Sequence, residues 1–316
     1  MKGDLRGKVA VVTGAASGLG RAMAERFAEE GMTVAVADLR LDEAQRVAST
    51  ISSRGSHAVA VEVDVSNRKS VESLADRVDA EFGGANILIN NAGVMSPSPL
   101  LRSDELGWRW IVEVNLFGVV YGLQTFVPRM LERGQPSHVV NVASLGGMIA
   151  GGATDQNRTQ VGDRHPDAPR MIYGYFATKH AVVAISEALS AELDGTCTGV
   201  SVLCPSHHHG TGIFENSARF RPARYGGPMT PDELHGTSRS SQRGEGAVAA
   251  VLEDNAAGKD PAECAARVVR AIRGNHFYIF THPNSRAVIE ERFARVRAGL
   301  DDADTFLPTA PRLEDG

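Results

Sequence analysis

The stretch TGAASGLG at residues 13–20 decides the fold of this chain. It follows an apolar run at residues 9–12 and precedes residues 19–30, whose apolar side chains recur at helical spacing. A strand, a glycine-rich turn and a helix in this order bring the backbone close to a pyrophosphate at the positive N-terminus of the helix. The stretch therefore predicts a dinucleotide-binding loop, with a glycine turn that binds nothing as the alternative. The residues expected to hold the phosphates are Gly14, Ser17, Gly18, Leu19 and Gly20.

Two acidic positions further along the chain are expected to meet the adenosine half of the dinucleotide. Asp38 closes the second predicted strand, where a carboxylate can accept hydrogen bonds from ribose hydroxyls and would repel a 2′-phosphate. This favours NAD over NADP, although Arg40 could soften the repulsion and Asp38 could instead cap a helix. Asp64 and Val65 follow the third predicted strand and could meet an adenine edge, unless Asp64 caps the next helix.

Apolar β-type runs alternate with amphipathic segments along most of the chain. Strands are predicted at residues 9–13, 33–37, 58–63, 86–90, 138–142, 199–203 and 276–280, and helices at 19–30, 43–53, 70–82, 104–132, 173–194, 261–274 and 286–300. Nearly continuous apolar strands are typical of parallel strands covered on both faces. The pattern predicts one doubly wound Rossmann-type α/β domain over residues 1–300, with a mainly parallel seven-stranded sheet and helices on both faces.

Three segments depart from this alternation. Residues 146–170 are rich in Gly, Asp, Asn and Pro and are interpreted as an inserted loop. Residues 206–260 are polar and are expected to form short helices and loops over a substrate site. Residues 301–316 are predicted to form a polar C-terminal tail.

Composition narrows the class of protein. The 316 residues are 42% hydrophobic and 22% charged, with a net charge of −5, which is typical of a globular domain and gives no reason to expect nucleic acid or an anionic membrane as partner. No signal peptide and no apolar run of about eighteen residues are recognisable, so no membrane-spanning helix is expected. Cys197, Cys204 and Cys264 show no pairing motif and indicate reduced thiols in a cytoplasmic protein.

Four further motifs follow the glycine loop in order: NNAG at residues 90–93, Asn115 within VNLFG, Ser144 after the fifth strand, and YFATK at residues 175–179. Together they resemble the short-chain dehydrogenase/reductase family over residues 8–205. The resemblance implies a catalytic tetrad of Asn115, Ser144, Tyr175 and Lys179, and an NAD(H)-dependent oxidoreductase that interconverts a secondary alcohol and its ketone. A non-catalytic regulatory protein that binds the dinucleotide is the alternative from another class, and the intact Tyr–Lys pair argues against it.

The chemistry of Tyr175 agrees with this resemblance. A free phenol has a pKa of about 10, which is too high for an efficient base near neutrality. Lys179 lies four residues on, hence on the same helix face, and its charge favours the phenolate. Tyr173 has no lysine at that spacing and is expected to form a wall of the substrate pocket, or simply to pack in the core.

The resemblance also assigns roles to the other motif residues. Lys179 would hold the nicotinamide ribose, Ser144 the substrate oxygen, and Asn115 a proton-relaying water, unless Asn115 only caps or kinks its helix. Asn90 and Asn91 would stabilise the sheet and approach the adenosine ribose, and Ala92 and Gly93 would let the cofactor come close.

The sequence departs from the family pattern in two places. The segment between Ser144 and Tyr175 is unusually long, which indicates a solvated loop, a lid or an oligomer contact. After the sixth strand, where the family has Pro-Gly and then a threonine, the chain reads PSHHHGT at residues 205–211. Cofactor contacts are expected at Pro205, His208 (or its neighbour) and Thr211. A metal site is not expected, because neighbouring histidines in an extended loop point different ways, and histidines lining the pocket are favoured.

Apolar and aromatic side chains are expected around the substrate, which favours a fairly hydrophobic alcohol or ketone, aromatic ones included. The predicted substrate-contacting residues are Ser144, Met95, Leu145, Tyr173, His207 and Phe214. Arg219, Arg221 and Arg224 could bind a carboxylate or face water. Short stretches at residues 125–130, 219–226 and 276–280 resemble the family's dehydrogenases of benzylic alcohols in aryl ethers. NADP-dependent carbonyl reduction stays open as an alternative. A homodimer or homotetramer is expected by analogy with the family.

Overall fold

The computed structural model describes residues 4–96, 103–150, 172–229, 258–283 and 285–306. Seven strands form one sheet in the order β3-β2-β1-β4-β5-β6-β7, and every neighbouring pair is parallel. The predicted Rossmann-type sheet is confirmed. The strands are β1 Val9–Thr13, β2 Thr33–Asp38, β3 Ala58–Glu62, β4 Ile87–Asn90, β5 Ser137–Val142, β6 Thr198–Cys204 and β7 Tyr278–Phe280.

Helices cover both faces of the sheet, as predicted. They are α1 Gly18–Glu29, α2 Leu41–Ser53, α3 Arg68–Phe82, α4 Glu105–Val112, α5 Gly118–Arg133, α6 Tyr173–Glu192, α7 Ile213–Arg219, α8 Pro261–Gly274 and α9 Ser285–Phe306. Alternate residues of each strand point to opposite faces, so Val12 packs in one apolar cluster with α1, α2 and α8, while Val11 packs in the other with α3, α5 and α6. Strands buried on both faces favour apolar side chains on both, which explains their nearly continuous apolar runs.

The strand order places a crevice between β1 and β4, because the connections that follow these two strands run in opposite directions across the sheet. Chain order reverses between β1 and β4, and the carboxyl ends of these strands mark the switch point at which such sheets bind ligands. The glycine stretch follows β1, and the NNAG motif follows β4. Both motifs therefore meet at this edge of the sheet.

The predicted helix over residues 104–132 is not uniform. α4 and α5 are joined by a π-helical turn, Glu113–Phe117, which contains Asn115. Such a turn widens the helix locally and is common at functional sites. The joined helix Glu105–Arg133 has the length and mean hydropathy, 1.4, of a membrane span, but 56% of its apolar window is buried inside the protein, as in a core helix.

Several predicted boundaries moved. The last strand begins at Tyr278 instead of His276, because residues 276–277 still belong to the turn after α8. α9 continues to Phe306, past the predicted end at Leu300. Most of the predicted inserted loop, residues 151–170, and residues 230–257 of the predicted substrate region lie outside the described residues.

Candidate active site

The glycine stretch forms a turn that only glycines can make. Gly14 and Gly18 have φ angles of 64° and 55°, which L side chains rarely adopt. A methyl group on Gly14 would lie 2.8 Å from the Cα of Ala92, and one on Gly20 would collide with the carbonyl oxygen of Gly14. Ser17 caps α1 without using its side chain in a cap bond. The turn and the helix N-terminus form a cradle that fits a pyrophosphate.

Asn91 and Thr13 hold the NNAG segment against this turn. The Asn91 Nδ2 donates to the Thr13 carbonyl at 2.8 Å, and the backbone N–H groups of Asn91 and Ala92 donate to Thr13 Oγ1 at 3.0 and 3.1 Å. A methyl group on Gly93 would lie 3.4 Å from Asn115 Oδ1 and 3.5 Å from Lys179 Nζ. The glycine cradle and two members of the predicted tetrad thus share one surface.

The side chain of Asn90 has a different environment. Its Nδ2 donates to Asn141 Oδ1 at 2.9 Å, and Asn141 in turn donates to Ser186 Oγ at 3.0 Å. The Asn90 amide also lies against Gly122 in α5. These contacts match the expected role in stabilising the sheet. The side chain lies between the strand and α5, so of the two asparagines only Asn91 reaches the glycine turn.

Asp38 lies beside the glycine turn and is 6% exposed. Its Oδ2 accepts from the Ala16 N–H and its Oδ1 from the Arg40 N–H, both at 3.0 Å. The Arg40 guanidinium is 3.4 Å from the same carboxylate, donates to Ser17 Oγ at 3.1 Å, and lies over the Phe220 ring. The carboxylate and the cation are therefore neighbours at the adenosine end of the cradle.

Asp64 does not cap the helix that follows it. The N-cap of α3 is Asn67, whose side chain accepts from the N–H groups of Lys69 and Ser70. Asp64 instead accepts from the Ser66 hydroxyl at 2.6 Å and pairs with Arg224 at 2.6 Å. The capping alternative for Asp64 is therefore wrong. Val65 is buried and packs on Gly118 at the start of α5.

Tyr175, Lys179 and Ser144 come together at the carboxyl ends of β5 and β6. Tyr175 and Lys179 are 8% and 3% exposed and lie one turn apart on α6. The Lys179 Nζ donates to the Val142 carbonyl at 2.8 Å and is 5.6 Å from the centre of the Tyr175 ring. Ser144 hydrogen-bonds the Tyr175 phenol, and its Oγ accepts from the Gly146 N–H at 3.0 Å.

The electrostatics of the pair differ from the expectation. Burial raises the pKa of Tyr175, and the hydrogen bond with Ser144 opposes this increase. Burial also lowers the pKa of Lys179 to about 8. The sequence predicted that the Lys179 charge favours the phenolate, but it did not reveal burial, which is the largest cause and acts in the opposite direction. Desolvation dominates and keeps the phenol protonated, which suits it to donate a proton at neutral pH.

Asn115 is fully buried in the π-helical turn. Its Oδ1 accepts from the Val94 N–H at 2.8 Å, and its Nδ2 donates to the Val94 carbonyl at 2.9 Å and, at 3.4 Å, to Thr178 Oγ1. The amide thus fastens the segment after NNAG to the start of α6. This position agrees with the alternative that Asn115 kinks its helix. The Oδ1 and Nδ2 atoms of Asn115 are both already hydrogen-bonded to protein groups.

The loop after β6 places the three histidines on alternate sides. His207 and His209 are exposed, whereas His208 is 2% exposed. Its Nδ1 lies 2.8 Å from the Ser206 carbonyl, and its ring meets His282 edge-on at 5.2 Å. Burial lowers the pKa of His208, and that of His282 to about 4. Within the described ranges no group of three metal-ligating side chains occurs.

The same loop passes close to the glycine turn and to Ser144. The Thr211 carbonyl would lie 2.9 Å from a methyl group on Gly18. The Pro205 carbonyl accepts from the Leu145 N–H at 2.8 Å. Sequence reasoning predicted Pro205, His208 and Thr211 at this place but missed His282, because a lone histidine after a strand carries no motif.

Of the predicted substrate residues, Met95 and Phe214 lie at α7, and Tyr173 is the first residue of α6. The Met95 N–H donates to Ser217 Oγ in α7 at 2.9 Å, and Phe214 is buried in the same helix. Tyr173 lines a shallow cleft between α4 and the start of α6. The rest of its lining, which sequence reasoning did not predict, consists of Ser96, Ser103, Asp104, Gly107, Trp108, Ile111 and Gly174.

Comparisons with known proteins match this geometry. A family model described as short chain dehydrogenase matches residues 8–154. The 1-deoxy-11-beta-hydroxypentalenate dehydrogenase of Streptomyces exfoliatus is 32% identical over 92% of this chain and 88% of its own. The C alpha-dehydrogenase of a Sphingobium species is 29% identical over 93% of this chain and 86% of its own, so the resemblance seen in short stretches is confirmed at chain length. A solved short chain dehydrogenase/reductase from Burkholderia phymatum, in complex with NAD, has a TM-score of 0.80 and 33% identity, covering 94% of this chain and 96% of that one.

Proposed function

This chain belongs to the short-chain dehydrogenase family, and on that premise we propose that it is an NAD(H)-dependent enzyme interconverting a fairly hydrophobic secondary alcohol, aromatic ones included, and its ketone. As a member of the family it is an oxidoreductase of hydroxyl or ketone substrates that uses a nicotinamide dinucleotide. The proposal adds the preference for NAD, the class of alcohol and the residues that act.

The observation that carries the proposal is the group formed by Tyr175, Ser144 and Lys179 beside the glycine cradle. The Ser144 hydroxyl acts on the Tyr175 phenol and lowers its pKa, so the two groups are near enough to meet one substrate oxygen. The Lys179 Nζ lies near Gly93, and Gly93 belongs to the NNAG segment that packs against the glycine cradle. A scaffold that only binds a dinucleotide has no need of this group.

When bound, the nicotinamide ring supplies or accepts the hydride. In ketone reduction, the protonated Tyr175 phenol donates its proton to the oxygen that becomes the alcohol, while Ser144 Oγ holds that oxygen. The Lys179 ammonium stabilises the resulting phenolate, because a positive charge at this range favours the charged form. In alcohol oxidation the same groups act in reverse. Asn115 positions α6 and the Val94 segment relative to each other.

The preference for NAD rests on Asp38. A buried carboxylate beside the glycine turn accepts hydrogen bonds from ribose hydroxyls and repels a 2′-phosphate. The solved Burkholderia phymatum relative was crystallised with NAD. One observation favours NADP as a second candidate, since Arg40 lies between Asp38 and Ser17 and carries the charge a phosphate would need. Asp38→Ala should relax the preference for NAD, and an unchanged preference would refute this assignment.

The class of alcohol follows from the relatives and the pocket. The relatives are a C alpha-dehydrogenase and a dehydrogenase of a hydroxylated pentalenate. Trp108 and Ile111 provide apolar and aromatic walls beside Tyr173. We also propose a cytoplasmic homodimer or homotetramer. Leu106, Phe117 and Leu131 expose apolar surface along α4 and α5, which a second copy could cover.

The test is a spectrophotometric scan at the NADH absorption band with benzylic and aliphatic secondary alcohols, their ketones, and each cofactor. The proposal expects turnover of 1-phenylethanol-type alcohols, faster with NAD than with NADP. Tight NADH binding with no turnover of any alcohol or ketone would contradict it. Light scattering after gel filtration measures the oligomeric state separately, and a monomer would refute that part.

A further inference from the structure

Residues 211–225, called the covering segment below, contact the loops that follow four neighbouring strands of the sheet. At the start of the segment, the Thr211 carbonyl lies beside Gly18 of the glycine turn. Side-chain contacts continue along the segment: Asn216 with Ser17 after β1, Phe220 with Arg40 after β2, Arg224 with Asp64 after β3, and Ser217 with Met95 after β4. The segment therefore extends across the edge of the sheet that carries the cofactor cradle.

The far end of the covering segment is a short 3-10 turn that ends at Tyr225, and it makes two contacts with carboxylates. The Arg224 Nη2 donates to Asp64 Oδ2 at 2.6 Å and to Ser66 Oγ at 2.7 Å. Tyr225 is 3% exposed, and its hydroxyl donates to Glu113 Oε2 at 2.5 Å. Hydrogen bonds to a charged group are about twice as strong as those between neutral groups. We call these contacts of Arg224 and Tyr225 the latch.

Both carboxylates of the latch belong to the cofactor side of the site. Asp64 follows β3, where the sequence predicts a contact with the adenine edge, and Glu113 begins the π-helical turn that contains Asn115. The Arg224 and Asp64 side chains are 50% and 23% exposed, whereas Tyr225 is buried. Salt can therefore weaken the first contact of the latch and has little effect on the second.

We propose that Arg224 and Tyr225 are positioning residues that hold the covering segment over the cradle, so that the latch must open before the dinucleotide enters or leaves. This inference goes beyond the proposed class of alcohol and rests on the proposed function only in taking NADH as the cofactor. Because the latch joins protein to protein, it restrains entry and exit alike. Its loss should change the rates of cofactor exchange more than the affinity.

The test measures the association and dissociation of NADH by stopped flow, with NADH fluorescence as the signal and excess NAD⁺ as the displacing ligand. No alcohol or ketone is needed. In Arg224→Gln both rate constants should increase about two- to fivefold, as the loss of a partly exposed ion pair predicts. In Tyr225→Phe they should increase about tenfold or more, because a buried hydrogen bond to a carboxylate is lost. The dissociation constant should stay within about threefold of wild type in both variants, since the two rate constants change together.

Two control variants separate the latch from the charge of Arg224. Arg224→Lys keeps the charge and should keep most of the wild-type behaviour. Arg219→Gln removes an equal charge from an exposed position of the covering segment, where the guanidinium lies over the ring of the neighbouring Phe220, and should leave both rates unchanged.

Salt provides a second readout that a purely structural role would not produce. Raising the salt concentration should speed the dissociation of NADH from the wild type and from Arg219→Gln, because it screens the Arg224–Asp64 pair. Arg224→Gln lacks this pair and should lose most of the increase.

Unchanged exchange rates in both Arg224→Gln and Tyr225→Phe would overturn the inference. Slower association and weaker binding in Arg224→Gln would also overturn it, because they would show that Arg224 attracts the anionic cofactor directly. If the protein binds NADPH but not NADH, the proposed preference for NAD fails, and the same rate measurements with NADPH decide the role of the latch.

Discussion

Replacing His138 with valine should change how the stability of this protein depends on pH. His138 is fully buried in β5. Its Nε2 lies 2.8 Å from Ser201 Oγ, and its Nδ1 has no hydrogen-bond partner among the described residues. Burial lowers its pKa from 6.5 to about 3, so the folded state holds the ring neutral while the unfolded chain protonates it below pH 6.5. The stability that comes from the neutral ring is therefore complete above pH 6.5 and is lost as the pH falls towards 3.

The size of the effect follows from linkage. Each pH unit between the two pKa values costs about 1.4 kcal/mol of unfolding free energy, so the wild type should lose about 2 kcal/mol from this residue between pH 6.5 and 5. His138→Val removes this dependence and matches the neighbouring valines of the strand. The Ser201 hydroxyl keeps a partner, because it also donates to the His276 carbonyl at 2.7 Å.

The assay is urea unfolding of the wild type and His138→Val at several pH values between 7 and 4.5. As the pH decreases, the unfolding free energy of the variant should fall less steeply than that of the wild type, by about 1.4 kcal/mol per pH unit. His57→Val, at an exposed position, is the control and should keep the wild-type slope. Equal slopes in the wild type and His138→Val would show that the folded protein protonates His138 and would refute the reasoning.

Four other substitutions, one of them a control, test the cradle, the core and the lysine. Gly20→Ala should weaken NADH binding in a fluorescence titration by about tenfold or more, because its methyl group meets the Gly14 carbonyl; unchanged affinity would contradict the cradle. Gly122→Ala in α5 should lower the free energy of unfolding by about 1–3 kcal/mol, because the added methyl group collides with the Asn90 amide. The control, Gly299→Ala in α9, meets open space and should raise the free energy of unfolding by up to about 1 kcal/mol. Equal effects of the two substitutions would refute the packing argument. The rate of ketone reduction should decline above pH 8, because Lys179, whose pKa is about 8, loses its charge there. In Lys179→Arg the decline should shift to higher pH, and a pH profile that does not shift would exclude Lys179 as its cause.

The sheet could be predicted from the sequence because its strands are buried on both faces. Burial on both faces favours apolar residues at most positions, as in β1 with its run Val-Ala-Val-Val, and such runs are visible without a structure. The grouping of Ser144, Tyr175 and Lys179 could be predicted because the motifs occur in a fixed order and because Tyr175 and Lys179 have helical spacing. Local geometry and motif order carried both predictions.

What the sequence did not reveal depends on contacts between distant segments. The π-helical turn at Glu113–Phe117 arises where Asn115 bonds the backbone of Val94, and the helical pattern of the region does not encode that partner. Asp64 and Asn67 are equally good caps by composition, and the ion pair with Arg224, far along the chain, separates their roles.

The arginines near α7 show the same limit. From the sequence, each of the three arginines could bind a carboxylate or face the solvent. Only the packing of Arg221 between Trp110 and Asp104 identifies one of them as buried with a donor to spare. The effect of burial on the pKa of Tyr175 could not be predicted for a related reason, because desolvation depends on the whole fold and not on the lysine one turn away.

The most direct test of the proton-transfer assignment compares Tyr175→Phe with Tyr173→Phe. The two tyrosines lie two residues apart in the first turn of α6, and only Tyr175 hydrogen-bonds Ser144 and has a lysine one turn on. Single-turnover oxidation of an alcohol found by the scan is followed together with NADH affinity. Tyr175→Phe should slow the reaction by about 100-fold or more with NADH affinity retained, and Tyr173→Phe should affect mainly KM. Turnover by Tyr175→Phe within tenfold of wild type would contradict the assignment of the proton donor.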